Sequence, residues 1–306
     1  MPRNAKVIIN PKAGKSFIKL NFFKSLFGIT SYAHQSYDLD HLKNKIKKEL
    51  QSHQIDCNFY EMKMAGDAKL FAQSAHKEGY DLVIGVGGDG TLNEIIHGLV
   101  NQNLPLGIIP SGTANVLAHS LNIPFSIKKA CALFSKHTPR AIDLGCVNDH
   151  YFSCMCGLGF DAFIVKTTKR SFKKFFGPLA FVFNIFFKGI AYPFYSINIE
   201  IDGQHYQASS LVIHNSPYYG GSSIMAPHAK MNDGFLDVSL FKATSFFRFF
   251  VSLLNAKNKR KDPYFSQVQA KRIRILKQAQ PAHVDAEYIG DAQHEIHIRE
   301  KALLVF

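Results

Sequence analysis

Gly87-Gly88-Asp89-Gly90-Thr91 sets one carboxylate among three glycines and a hydroxyl, a spacing that can do phosphate chemistry. Ahead of it, Tyr80-Asp81-Leu82-Val83-Ile84 is a short, β-branched apolar run that reads as a buried strand. Behind it, Leu92, Ile95, Ile96 and Leu99 recur at helical spacing on one face. A glycine-dense turn between a strand and a helix start exposes backbone N–H groups at the positive end of the helix dipole, which suits an anion. A carboxylate facing phosphates is repulsive unless a cation lies between them. The run therefore implies a nucleotide–Mg²⁺ site, with Asp89 in the turn and on the cation side.

Three rival motifs fail for want of partners. Gly85–Gly90 has the form of the dinucleotide fingerprint, which needs an acidic residue about 20 positions on for a ribose hydroxyl. No Asp or Glu lies between Glu94 and Asp143. A protein-kinase glycine loop comes with His-Arg-Asp and Asp-Phe-Gly, and neither occurs. Gly14-Lys15-Ser16 resembles the end of a Walker A loop, but its first glycine would fall at Ile9.

Two further corners share the layout. Leu106–Ile109 leads into Pro110-Ser111-Gly112-Thr113-Ala114-Asn115 and then a helix through Val116, Leu117 and Leu121; Val7-Ile8-Ile9 leads into Asn10-Pro11-Lys12-Ala13-Gly14. Each turn alone is an ordinary strand–helix loop. Three at one sheet edge, where open α/β sheets bind ligands, favour a site.

The elements that must hold these corners follow from the pattern. Strands are expected near 5–9, 55–60, 81–86 and 105–109, with helices near 39–53, 66–78, 92–101, 114–121 and 126–136. Such alternation predicts an α/β domain, 1–140, with a mostly parallel sheet and helices on both faces. From 141 to 306 short apolar runs and turn signals at Asp202-Gly203 and Asn232-Asp233-Gly234 predict an antiparallel β-sandwich. At 306 residues the chain suits two such units.

Asn10–Gly14, Gly87–Glu94 and Pro110–Asn115 resemble, in this order, the motifs of the diacylglycerol kinase catalytic-domain family, which includes bacterial soluble lipid kinases and the sphingosine and ceramide kinases. The resemblance continues through Gly157–Ala162, Tyr218–Gly221, Ala226-Pro227, Asn232–Val238 and Asp285-Ala286-Glu287, nearly the whole chain. It implies an ATP- and Mg²⁺-dependent kinase acting on a hydroxyl of diacylglycerol or a similar lipid, with the active site in the cleft between the two domains. The nucleotide would be met by Asn10, Pro11, Lys12, Ala13, Gly14, Met62, Gly87, Gly88, Asp89, Gly90, Thr91, Asn93, Glu94, Ser111, Gly112, Thr113 and Asn115. Asp285 is the implied general base with Glu287 as its orienter, the two sharing a face if the strand continues through them. A structural Mg²⁺ would take Asp233 and the backbone carbonyls of Lys230 and Phe235. Three positions depart from the family pattern. Met62 stands for a phosphate-binding Thr, Ala286 for Gly and Ala13 for Ser. These leave two other readings open: a catalytically silent lipid- or nucleotide-binding regulator, and a kinase of a soluble substrate like the NAD kinases.

The net charge of +13 favours an anionic partner. No nucleic-acid-binding motif accompanies it. Residues 171–194 and 245–262 combine many Phe with Lys and Arg, as suits an anionic membrane surface; Phe packing onto the sandwich is the alternative. The five Cys show no metal-ligand spacing, and the most apolar run, 175–187, is too short to span a bilayer. The expectation is a cytoplasmic protein, peripheral at the membrane, with a homodimer left open. Residues 15–38 read as an insertion.

Overall fold

The computed structural model describes residues 3–13, 38–168, 187–258, 260–277 and 279–306. Gly14, the expected insertion up to residue 37, and most of the Phe-rich stretch at 171–194 lie outside the described residues. In the first part, β1 (Arg3–Ile9), β2 (Ile55–Glu61), β3 (Leu82–Gly87) and β4 (Leu106–Pro110) alternate with α1 (Leu39–Ser52), α2 (Asp67–Ala75), α3 (Asp89–Leu99), α4 (Val116–Ser120) and α5 (Ile127–Lys136). The strands pair in parallel in the order β2-β1-β3-β4. Every residue of β3 and β4 is buried, as a continuous apolar strand covered on both faces must be. Gly98 lets α2 and α3 approach: a Cβ there would lie 2.5 Å from the Lys69 carbonyl oxygen and 2.6 Å from the Ala72 Cβ. One boundary differs in a way that matters. The helix expected from residue 92 begins at Asp89.

The remainder forms β5 (Arg140–Val147), β6 (His150–Phe152), β7 (Met155–Gly159), α6 (Phe160–Thr167), β8 (Ile197–Ile201), β9 (Gln204–Ala208), β10 (Ser210–His214), β11 (Tyr218–Tyr219), β12 (Ser223–Ile224), β13 (Leu236–Phe241), α7 (Phe246–Lys257), β14 (Phe265–Ala270), β15 (Arg272–Leu276), β16 (Gln280–Val284), β17 (Glu287–Ala292) and β18 (Glu295–Val305). Six of these strands make an antiparallel sheet in the order β14-β13-β10-β7-β16-β17. Its Leu158, Leu211, Ile213 and Val238 share one core with Ile199, Ile273 and Ile296 of β8, β15 and β18. That core is the interior of a β-sandwich. Asp202-Gly203 forms the expected two-residue hairpin, with φ of +46° and +83°.

The last strand ties the sandwich to the first part. β18 pairs with β15 and β5, then reaches the parallel sheet at Val305, opposite Leu106 of β4. A register shift between Arg299 and Leu303 bends the strand, and Leu303, Val305 and Phe306 join the first core. One ten-stranded sheet therefore runs through both parts and holds their cleft edges together. Among the described residues, no helix is long and apolar enough to cross a membrane.

Candidate active site

The three glycine corners are stitched to one another. Asn10 donates from its amide to Thr91 Oγ1 at 2.9 Å, and its backbone N–H reaches the Val86 carbonyl at 3.0 Å. Ser111 N–H donates to the Gly87 carbonyl at 2.9 Å. Asn115, buried and left-handed at φ +48°, closes the Ser-Gly-Thr turn by accepting from Gly112 N–H at 2.9 Å and donating to its carbonyl at 2.8 Å. Gly88 and Gly112 touch back to back: a Cβ on Gly112 would lie 2.4 Å from the Gly88 Cα. Gly87 is constrained as closely, since its Cβ would meet the Thr91 Cβ at 2.6 Å. Because α3 starts without a side-chain cap, the first-turn N–H groups remain available to an anion. Gly112→Ala should push the two corners apart and cut nucleotide affinity at least about tenfold while the protein stays folded. Titration calorimetry on the purified variant checks this, and wild-type affinity would show that the contact has no bearing on the ligand.

Asp89 does not sit in a solvent-facing turn. It is the first residue of α3, half-buried, and its Oδ1 accepts from Leu117 N–H at the start of α4 at 3.2 Å. Burial pushes its carboxyl up to about 6; the N–H groups of Leu117 and Val116 oppose this, and the charge of Asp285 adds to it. Two carboxylates from opposite sides of the cleft thus influence each other beside an anion cradle.

The geometry expected through 285–287 is replaced by a turn. Asp285 and Ala286 are the two corner residues of the β16–β17 hairpin, at φ +45° and +65°, so Asp285 and Glu287 do not share a strand face. Ala286 carries the positive φ that Gly would take more easily. Asp285 Oδ2 accepts from Ser153 N–H at 2.7 Å and Ser153 Oγ at 3.0 Å; its Oδ1 accepts from Cys154 N–H and Met155 N–H, both at 3.0 Å. All four lone-pair positions of the carboxylate are engaged. Buried Cys154 lies beside both carboxylates. Burial first, then the charges of Asp285 and Asp89, hold its thiol well above its usual range, so it stays neutral.

Glu287 differs from Asp285 on every count. It opens β17, is exposed, and lines a cleft of about 500 Å³ with Lys69, Asn93, Glu94, His97 and His150. The buried Asn93 also lines this cleft, and its amide oxygen has no hydrogen-bond partner among the described residues. Glu94 is occupied elsewhere: its carboxylate accepts from Gly66 and Ala68 N–H at 3.0 and 3.3 Å, capping α2. Met62 is buried. It is a core residue, and its N–H pairs with the Ile9 carbonyl at 2.9 Å. Lys12 is exposed on its turn, beside Pro11 and Ala13.

The Asn232-Asp233-Gly234 segment is not a hairpin but a loop tied down by Asp143 of β5. Asp143 accepts from Gly234 N–H at 2.9 Å and Lys301 N–H at 2.7 Å. Asp233 Oδ1 takes Phe235 N–H at 3.1 Å, so one further carboxylate oxygen is available beside the exposed Lys230 and Phe235. Among the described residues no group of three or more His, Cys, Asp or Glu could hold a metal. A cation on this loop would rest on one carboxylate and backbone oxygens. Sequence reasoning also missed the buried cluster behind β16. Asp161 is bonded to His283 Nε2 at 2.8 Å and accepts from the Tyr219 hydroxyl; Gly157 leaves the room, since its Cβ would lie 2.2 Å from the Asp161 Oδ2. Burial raises the Asp161 carboxyl, but His283 and Tyr219 outweigh it and hold it below the usual range. An acid or His alone in an apolar run, as at Asp143 and His283, was the signal available.

Comparison with known proteins agrees with this architecture. The family model "Diacylglycerol kinase catalytic domain" matches residues 32–147, and "YegS C-terminal NAD kinase beta sandwich-like domain" matches 154–306. A diacylglycerol kinase of Staphylococcus aureus (strain JH9) is 27% identical over 299 residues, covering 95% of this chain and 88% of its own. A solved structure described as a diacylglycerol kinase from Bacillus anthracis str. Sterne has a TM-score of 0.70 at 23% identity, covering 99% of this chain and 96% of its own. A second from that organism has a TM-score of 0.75 at 24% identity, covering 99% and 97%. At such identities the solved structures show the fold.

Proposed function

We propose, from the premise that the chain belongs to the diacylglycerol kinase catalytic-domain family and is a phosphotransferase with an alcohol acceptor, that it phosphorylates a hydroxyl of diacylglycerol or a related lipid from ATP and Mg²⁺. The observation that carries the reading is the pair Asp89 and Asp285, mutually repulsive beside two glycine corners so close that a Cβ on Gly112 would lie 2.4 Å from the Gly88 Cα. A carboxylate beside a phosphate cradle calls for a cation, and with Asp285 saturated as an acceptor it is Asp89 that can face one. The donor set fits Mg–ATP, which when bound supplies the transferable phosphoryl group and neutralises its charge.

The residues divide the work. N–H groups at the start of α3 and in the 111–113 turn receive phosphate oxygens, with Asn10, Thr91 and Asn115 fixing their spacing. Asp89 faces the cation. The lipid hydroxyl approaches from the hairpin side; its oxygen forms the new bond to phosphorus as the bond to the departing nucleotide breaks, and its proton passes to Glu287. The roles first expected of the hairpin pair are exchanged: Asp285, saturated as an acceptor, fixes the hairpin, and Glu287, exposed and without a partner among the described residues, is the base. Asp233, with the carbonyls of Lys230 and Phe235, would hold a second, structural Mg²⁺ that adds to the loop's anchorage. Asn93 lines the acceptor cleft, while Met62 and Glu94 serve the fold.

Labelled ATP offered with a panel of lipids in mixed micelles should yield Mg²⁺-dependent phosphorylation of diacylglycerol or a close analogue. Product only on NAD or another soluble alcohol would overturn the lipid assignment. Nucleotide binding without product on any acceptor would favour the silent regulator.

A further inference from the structure

The helix α7 is apolar nearly all the way round, and among the described residues only one side of it is covered. Phe246, Phe249 and Leu253 pack into a cluster with Phe160, Phe194 and Phe241. The opposite stripe, Phe247, Val251 and Leu254 at i, i+4 and i+7, faces outward: Phe247 is 75% exposed and Leu254 43%. A helix with apolar residues on every side belongs inside a core or a membrane boundary, and water is a poor home for this face. Ile190 lies beside it. It follows Gly189, whose Cβ would sit 2.6 Å from the Phe246 ring, and is 74% exposed.

Charge selects the occupant. α7 contains no acidic residue. Arg248 is committed inward, bonded to Asp262 at 2.6 Å and stacked 3.9 Å over Tyr264. Lys257, Arg260 and Lys261, at the helix end and just beyond, are exposed and make no ion pair among the described residues. A second copy of this chain would bring the same positive charge to the face and repel. An anionic bilayer accepts both features at once: apolar side chains enter the acyl boundary while Lys and Arg stay among the headgroups. The covered side of α7 shares its cluster with Met155, whose N–H holds Asp285, so the helix is packed against the frame of the site.

We propose that the outer face of α7, with Lys257, Arg260 and Lys261, docks the protein on an anionic membrane surface; the choice of a bilayer rests on the lipid-kinase reading. Vesicle sedimentation with the full chain tests it, using phosphatidylcholine alone and phosphatidylcholine with phosphatidylserine. Wild-type protein should prefer the anionic vesicles and release as salt rises, because exposed charges are screened within about 10 Å at 0.1 M. Phe247→Asp with Leu254→Asp should lower vesicle affinity at least about tenfold while leaving the melting temperature and the phosphorylation of micellar lipid unchanged. Lys257→Glu, Arg260→Glu and Lys261→Glu together should abolish the preference for anionic vesicles. Equal sedimentation with both vesicle types, or variants that bind as wild type does, overturns the proposal. So does a wild-type dimer that the Asp variant turns into a monomer, since a second copy would then own the face. If no lipid is phosphorylated but stripe-dependent vesicle binding persists, the kinase reading fails and the docking face stands.

Discussion

Asp89→Asn is expected to lower turnover by about 10²–10³-fold or more while the protein remains at least as stable as wild type at neutral pH. The first half follows from charge. An asparagine can keep the hydrogen bond from Leu117 N–H, but it offers a cation only a neutral oxygen. The second half follows from linkage. The carboxyl stands at about 6 in the folded protein, above its ordinary value of 3.8, so between those values the native state binds more protons than the unfolded chain. Stability contributed by the neutral form is present below pH 3.8 and is lost as pH rises through 6. Above that window the ionised Asp89 costs about 1–3 kcal/mol, which an amide does not. Thermal melts of both proteins at pH 5 and pH 8 should therefore show the variant gaining on wild type at the higher pH. Mg²⁺–nucleotide affinity of wild type should weaken as pH falls below about 6, because a proton then competes for the carboxylate. A variant that keeps its turnover, or that melts far below wild type at every pH, would mean that Asp89 serves the fold.

The corners were legible because local signals and tertiary demand coincide in them. A β-branched run, three glycines and an i, i+3, i+4, i+7 pattern leave one arrangement for 80–99, and the difference that matters is the start of the helix at Asp89. That small difference moves Asp89 from solvent into the start of α4, a contact across 28 residues that no local window contains. Met62 was misread for a related reason. Position relative to a motif says where a residue lies along the chain, whereas an apolar side chain beside a core turns into it. Glu94 was placed with the phosphates on the strength of its run, yet α2 presents N–H groups one turn away and its carboxylate satisfies them. β18 ties the two parts together because its apolar C-terminal end fits a second core as well as the first, and a short strand signal at 295–298 gave no hint of the bend beyond it.

Glu287→Gln and Asp285→Ala should fail in different ways, and the difference identifies the base. At Glu287 the side chain is exposed and without a described partner, so the amide should leave the melting temperature within about 1–2 °C of wild type. Turnover should fall about 10²–10⁴-fold with nucleotide affinity unchanged, the loss typical of a missing general base. At Asp285 the alanine strips the acceptor from three buried N–H groups and a hydroxyl, those of Ser153, Cys154 and Met155. Each unsatisfied donor costs about 1–3 kcal/mol, so the variant should lose several kcal/mol of stability. Nucleotide binding would then fade along with the fold. Asp285→Asn separates structure from chemistry, since its carbonyl oxygen can keep the bonds to one pair of donors while its amide opposes the other; it should be destabilised less than the alanine and retain part of its turnover. The result that reverses the assignment is a well-folded, nucleotide-binding Asp285→Asn protein with no turnover beside a fully active Glu287→Gln. A carboxylate with four hydrogen bonds has no lone pair left for a fifth partner, so that outcome would require the hairpin to release Asp285 from Ser153 when substrate binds. Loss of the Ser153 hydroxyl by Ser153→Ala should then raise turnover, whereas with Glu287 as base it should only lower stability by about 1 kcal/mol.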